Sequence, residues 1–352
     1  MPRWRSPACS TCHPLSVHEG RIRHGGPTEI QRRAGHPLAG NRTKQVVNGG
    51  TPTFSGYGVS NHQLCWAKAT TTDPGSACTA PSGATTYTTD ANGNLTGSSA
   101  GFAASYNGFD QTTAITPAGG SALSPLTYGA STQVERRQAG STDFTTSALG
   151  LGVADPSGGK ATFYTRDPGG GLLGQRTSKD TQYDVLDALG SVVALTDSAG
   201  AVVGRYSYEP YGTPTFTGTV PSNFQFASGY RDPETGLLKF GARYYDPALG
   251  RWTQRDPLTG NLIDPRTINR YAYVTDDPIN NIDLAGTSFF GLLKTVVIGF
   301  VATTFAAGIC GALIGGFSLT VVGEALAGYL CGVVAGVFGT YITCVAGENG
   351  YL

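Results

Sequence analysis

At 352 residues the chain can hold two or three domains and bury a sizeable core. Its formal charge of zero argues against wholesale binding to nucleic acid, and a charged fraction of 14% beside 51 glycines excludes a protein built on long helices. All five histidines lie at or before His62, so chemistry farther along the chain must work without imidazole, which removes most nuclease and Ser-His or Cys-His hydrolase mechanisms.

Residues 1–48 are basic, carry four of the five histidines and show no strand or helix period, so disorder or a misassigned start is expected there. The basic N-terminus has no apolar run behind it, so export would use a route other than a secretory signal peptide, or the true start lies upstream. Cys9-Ser10-Thr11-Cys12-His13 has the spacing of a covalent haem site. The only methionine is Met1 and the flanking sequence shows no foldable pattern, so the match is read as chance and no cofactor is expected.

From 49 to 182 the chain reads as short strands punctuated by turn clusters, among them Asp73-Pro74-Gly75, Asn92-Gly93-Asn94 and Asp155-Pro156-Ser157-Gly158. Tyr87, Tyr106 and Tyr128 recur about twenty residues apart, enough for a strand, a turn and a returning strand. Cys65 and Cys78 flank such a turn; a disulfide is favoured over two free thiols. Val192 to Leu195 and Val202 to Tyr208 are β-rich and separated by Ser198-Ala199-Gly200, the pattern of strand, turn, strand.

The stretch Phe240-Gly241-Ala242-Arg243-Tyr244-Tyr245-Asp246-Pro247-Ala248-Leu249-Gly250-Arg251-Trp252-Thr253-Gln254-Arg255-Asp256-Pro257 closely resembles the signature of the Rhs-associated core domain of Rhs and YD-repeat polymorphic toxins and toxin-complex C subunits. The resemblance covers about residues 183–287, with 49–182 as degenerate YD-repeat hairpins. It implies a hollow shell of β-hairpins around a C-terminal effector, and a core that plugs the shell and cuts the chain at its own boundary by aspartic-protease-like chemistry. Carried over by motif position, Arg243 is the orienting arginine and Asp256 and Asp283 are the two carboxylates. The boundary falls at Gly286, Thr287 and Ser288, with the cut just after Thr287. Leu284 stands where the family has proline and Thr287 where it has leucine, and 259–268 reads as an insertion. Read without the resemblance, Asp246, Asp256 and Asp283 are turn residues and Arg243 a buried ion-pair partner. Tyr244, Tyr245, Trp252, Tyr271 and Tyr273 read as core packing.

Residues 288–352 carry charge only at Lys294, Glu324 and Glu348, leaving apolar runs at 295–322 and 325–347, each long enough to span a bilayer as a helix. Gly311 with Gly315, and Gly328, Gly332 and Gly336, recur at the four-residue spacing that lets helices approach closely in lipid. A membrane-inserting effector, a membrane anchor and a buried helical pair all fit the tail.

The expected architecture is therefore mainly β, an array of antiparallel β-hairpins forming a partial shell with a core plug, followed by a C-terminal apolar α-helical hairpin. The expected function is that of the C-terminal portion of a polymorphic toxin acting in interbacterial competition, secreted or at the cell surface, with its tail in membrane lipid. An immunity protein and an N-terminal shell or delivery module are the implied partners. The alternative is a non-toxic, membrane-anchored surface interaction protein with YD repeats.

Overall fold

The computed structural model describes residues 40–47, 49–130, 133–260 and 264–287, and the backbone of two short strands, Glu29–Gln31 and Phe290–Gly291. The apolar tail, with Gly311, Gly315, Gly328, Gly332 and Gly336, lies outside the described residues, as does Ser288. Among the described residues the regular structure is antiparallel sheet and short 3-10 turns.

The repeating unit is a hairpin whose loop follows from four residues. Asp187 Oδ1 accepts hydrogen bonds from the amides of Leu189 and Ser191, at 2.9 and 2.8 Å, while Gly190 takes φ +80°. Asp197 does the same for Ala199 and Ala201 with Gly200 at +82°, and Asp167 for Gly169 and Gly171 with Gly170 at +87°. An aspartate that caps its own turn, followed three residues later by a residue free to enter the left-handed region, reverses the chain at low cost. Asn107 makes the same loop, with Asp110 in the position of the glycine at +58°.

Strung together, these hairpins give an eight-stranded sheet running from Glu29–Gln31 to Thr112–Thr116 and a ten-stranded sheet from Leu126–Tyr128 to Pro214–Gly218, each strand pairing with its neighbour in sequence. Two hydrogen bonds join Ile115, on the last strand of the first sheet, to Leu123, in the segment that leads into the second. The Val192–Thr196 and Val202–Tyr208 strands fall where their β-rich composition and the intervening turn place them. Residues 40–47 depart from the expected disorder. Lys44–Val46 is a strand of the first sheet, and Arg42 is buried, its guanidinium 4.5 Å from the Tyr211 ring and donating to the Ala248 carbonyl at 2.8 Å. A single cation seated on an aromatic ring has no sequence period, which is why the segment looked structureless.

Both sheets wrap a central plug. Its own four-stranded sheet is Tyr230–Arg231, Leu238–Phe240, Arg243–Asp246 and Arg251–Trp252. The ten-stranded sheet turns Tyr164, Leu172, Val192, Leu195 and Tyr206 inward against Phe224, Tyr230, Leu237 and Tyr244. The eight-stranded sheet reaches the plug through polar bonds: Leu95 N–H to Thr253 O at 2.8 Å, Tyr271 hydroxyl to Gly93 O at 2.9 Å and Arg251 Nη2 to His62 O at 2.6 Å. A second aromatic core of Phe226, Phe240, Tyr245, Trp252 and Tyr273 lies within the plug. The expected aromatics therefore pack as core; Tyr244, Tyr245 and Tyr273 are fully buried.

Candidate functional site

The site is built on the plug strand Arg243–Asp246. Arg243 is the inward residue at its start, and its guanidinium lies 4.0 Å above the Trp252 ring on the neighbouring strand. Stacking on an indole fixes the plane of the guanidinium and leaves its donors pointing outward along the edge. All three of its nitrogens are engaged. Nη2 meets Asp256 Oδ2 at 2.7 Å and Asp283 Oδ2 at 3.1 Å, Nη1 donates to the Arg270 carbonyl at 3.2 Å, and Nε donates to the Gly286 carbonyl. The structure thus brings together Arg243, Asp256, Asp283 and the boundary residue Gly286, which the sequence spreads over more than forty positions.

Each carboxylate also organises its own loop. Asp256 Oδ1 accepts from Leu258 N–H at 2.9 Å, and Asp283 Oδ1 accepts from Thr287 N–H at 3.3 Å. Asp246, in contrast, spends its side chain on the amides of Ala248 and Leu249 and is a turn residue outside the site. The Asp283 side chain is 3% exposed and that of Asp256 is 18% exposed, so one carboxylate is dry and the other is open to water. Burial pushes the Asp256 carboxyl above its ordinary value, with Arg243 as the main opposing influence. Burial likewise draws the Arg243 guanidinium down, and the two carboxylates hold it up. Two carboxylates on one nitrogen of a single arginine share one positive charge, the arrangement in which a proton is readily retained by one of the pair.

The boundary segment is held by backbone contact. Ala242 N–H donates to the Ala285 carbonyl at 2.8 Å. A Cβ on Gly241 would stand 2.1 Å from the Ala285 oxygen, and one on Gly286, at φ +66°, would stand 2.8 Å from the Phe240 oxygen. Both glycines are therefore required for the close approach of 285–286 to the strand that carries Arg243. Sequence reasoning named Gly286 as boundary but not Gly241, and it did not assign Trp252 as the platform under Arg243. It also missed Arg270, which donates to the Asp256 carbonyl from Nε at 2.6 Å and from Nη2. The resemblance over about residues 183–287, which includes Arg270, was the available signal for that residue.

Cys65 and Cys78 are joined by a disulfide, remote from this site in sequence and on the first sheet. No cluster of three or more potential metal ligands occurs among the described residues. No helix among them is long and apolar enough to cross a membrane.

Part of the chain is similar to known proteins. Residues 152–279 match the family model described as Teneurin YD-shell, a span that includes Arg243 and Asp256 and stops four residues short of Asp283. The chain is 35% identical over 127 residues to the tRNA3(Ser)-specific nuclease WapA of Bacillus spizizenii, covering 35% of this chain and 5% of that protein. It is 31% identical over 137 residues to Teneurin-3 of Danio rerio, covering 37% of this chain and 5% of the relative. The match thus spans about one twentieth of the length of these curated relatives. Among solved structures, the crystal structure of TcdB2-TccC3-TEV is similar at TM-score 0.45 and 17% identity, over 67% of this chain and 13% of that one. Over residues 152–279, and in its array of capped hairpins, the chain is similar to YD-shell proteins.

Proposed function

We propose that this chain is the C-terminal portion of an Rhs/YD-repeat polymorphic toxin whose plug cuts the chain at its own boundary and frees a short hydrophobic effector. The observation that carries this reading is the single arginine that holds two carboxylates and the Gly286 carbonyl at once. Asp256, the more exposed carboxylate, takes a proton from a water whose oxygen bonds to the Thr287 carbonyl carbon. Asp283, dry and already beside the Thr287 backbone, supplies a proton as the carbon–nitrogen bond breaks and its electron pair passes to the Ser288 nitrogen. Arg243 keeps the two carboxylates at the boundary and at unequal affinity for the shared proton. No imidazole or metal enters these steps.

The purified chain should separate into residues 1–287 and 288–352 on incubation, and Asp256→Asn or Asp283→Asn should slow this by about 100-fold or more. A wild-type chain that stays intact would sink the protease assignment and leave the likeness to YD-shell proteins standing.

The effector reading rests on the tail's composition. Residues 288–352 hold three charged residues and neither His, Asp nor Arg, and their two long apolar runs suit a lipid bilayer as the target. Delivering the full chain to the bacterial periplasm should collapse membrane potential, and a chain ending at Thr287 should not. Teneurins and Salivary gland surface protein 1 of Aedes aegypti among the relatives favour a second reading, a membrane-anchored surface interaction protein. Unaffected potential, with the tail recovered in the membrane fraction, would select it.

A further inference from the structure

A second buried charge cluster lies on the opposite side of the plug strand from Trp252, and nothing in the cutting chemistry uses it. Arg136 belongs to the shell strand Arg136–Ala139, with a side chain 6% exposed. It reaches into the plug, where Nη1 meets Asp232 Oδ2 at 2.7 Å and donates to the Tyr244 hydroxyl at 3.2 Å. Its guanidinium also packs on the Phe144 and Tyr230 rings, at 4.3 and 5.1 Å. Lys239, buried on the adjacent plug strand with its ammonium 5.5 Å from the Tyr244 ring centre, donates to the carbonyls of Phe240 and Gly241. Those two carbonyls belong to the turn on which Ala285 and Gly286 rest.

Resting on the self-cleavage reading, we infer that Arg136 and Lys239 are positioning residues, through which docking of the shell strand onto the plug sets the turn that presents the cleavage boundary. Asp232 is the one acidic partner in this pocket, and two cations compete for it. When Arg136 occupies Asp232, Lys239 is repelled from the pair and turns its donors to the carbonyls of Phe240 and Gly241. The turn is then fixed, Gly241 sits flush against the Ala285 oxygen, and the Ala242 N–H to Ala285 bond forms at 2.8 Å. Without the shell's arginine, Asp232 is a buried carboxylate that has lost its ion-pair partner, and Lys239 is a buried cation whose charge already interacts with it. The turn carbonyls then lose their donor and the boundary its seat. The depression of the Lys239 ammonium by burial first and by Arg136 second, with Asp232 acting in the opposite sense, agrees with this competition. The consequence is an order of events: the plug cuts only after the shell strand has closed over it.

The test is the rate of self-cleavage of the full chain, followed beside its melting temperature and its near-ultraviolet circular dichroism. Arg136→Met should slow cleavage at least tenfold while the plug's aromatic signal persists. The double variant Arg136→Met/Asp232→Asn should recover most of the wild-type rate, because Lys239 no longer has a competing partner. Lys239→Met should be slow in either background. Cleavage at the wild-type rate in a folded Arg136→Met chain, or no recovery in the folded double variant, overturns the inference and leaves self-cleavage intact. Absence of cleavage in the wild-type chain overturns both. If Arg136→Met does not fold, the comparison of Asp232→Asn with Asp232→Asn/Lys239→Met decides: equal rates in those two overturn the inference.

Discussion

Arg243 shows how a few ångströms settle what a residue does. As an ion-pair partner alone it would need one carboxylate; it has two, and also a carbonyl of the boundary and the Trp252 face. Because burial lifts the Asp256 carboxyl above its ordinary value of 3.8, the proposed base is lost to protonation at a pH above that figure. Cleavage measured against pH should therefore fall on the acid side with a midpoint above 3.8. A midpoint at or below it would remove Asp256 from the role of base. A different carboxylate, Asp184, should make stability depend on pH. Both oxygens of Asp184 are buried without a hydrogen-bond partner, and burial raises its pKa from 3.8 to about 7, with Arg166 opposing. The native state holds this proton over a range in which the unfolded chain has released it. Its stabilising contribution is thus complete below about 3.8 and disappears as pH rises through about 7. Asp184→Asn should leave the melting temperature unchanged in acid and raise it by about 2–4 °C above neutrality, for a gain of about 1 kcal/mol. Parallel melting curves for the two proteins across that range would refute the assignment.

At the scale of the element, the self-capped Asp-x-x-Gly loop is what makes the shell. Each loop is local, so each hairpin forms from its own sequence and needs the plug only to cover its inner face. The disulfide closes the loop between two residues thirteen apart on the first sheet. Reduction, or Cys65→Ser with Cys78→Ser, should lower unfolding free energy by about 2–3 kcal/mol, read from the denaturant midpoint. No shift would mean that this segment unfolds independently of the transition. The plug behaves differently, because its turns are set by contact. Gly241→Ala places a Cβ 2.1 Å from the Ala285 backbone oxygen, so the boundary should lift away from Arg243. Self-cleavage should be lost in that variant even where circular dichroism reports an unchanged sheet content.

Over the whole molecule, one core joins the ten-stranded sheet to the plug and a second lies within the plug, where the aromatics pack on one another. Trp252 is 2% exposed and packs against Phe240, Tyr245 and Tyr273 with ring centroids 5.6–5.8 Å away, besides supporting Arg243. Trp252→Ala should cost about 3–5 kcal/mol and abolish cleavage together with stability. That simultaneous loss is the contrast to Arg136→Met, for which cleavage should fall while the plug's aromatic signal persists.

The sequence by itself determined the hairpins. Runs of β-formers separated by Gly-bearing turns specify a strand, a turn and a returning strand within some twenty residues, and Val192–Thr196 with Val202–Tyr208 could be read directly for that reason. It also marked Arg243, Asp256 and Asp283 as candidates, because their motif positions carry over from a resembling family. Tertiary structure alone decided that these three meet, that Asp246 is left out, and that Gly241, Trp252 and Arg270 belong beside them. It alone put Arg136 of the shell on Asp232 of the plug, ninety-six positions away. Turn chemistry is written in neighbouring residues; an ion pair between a shell strand and a plug exists only once hydrophobic burial has folded one around the other, and no local period records it.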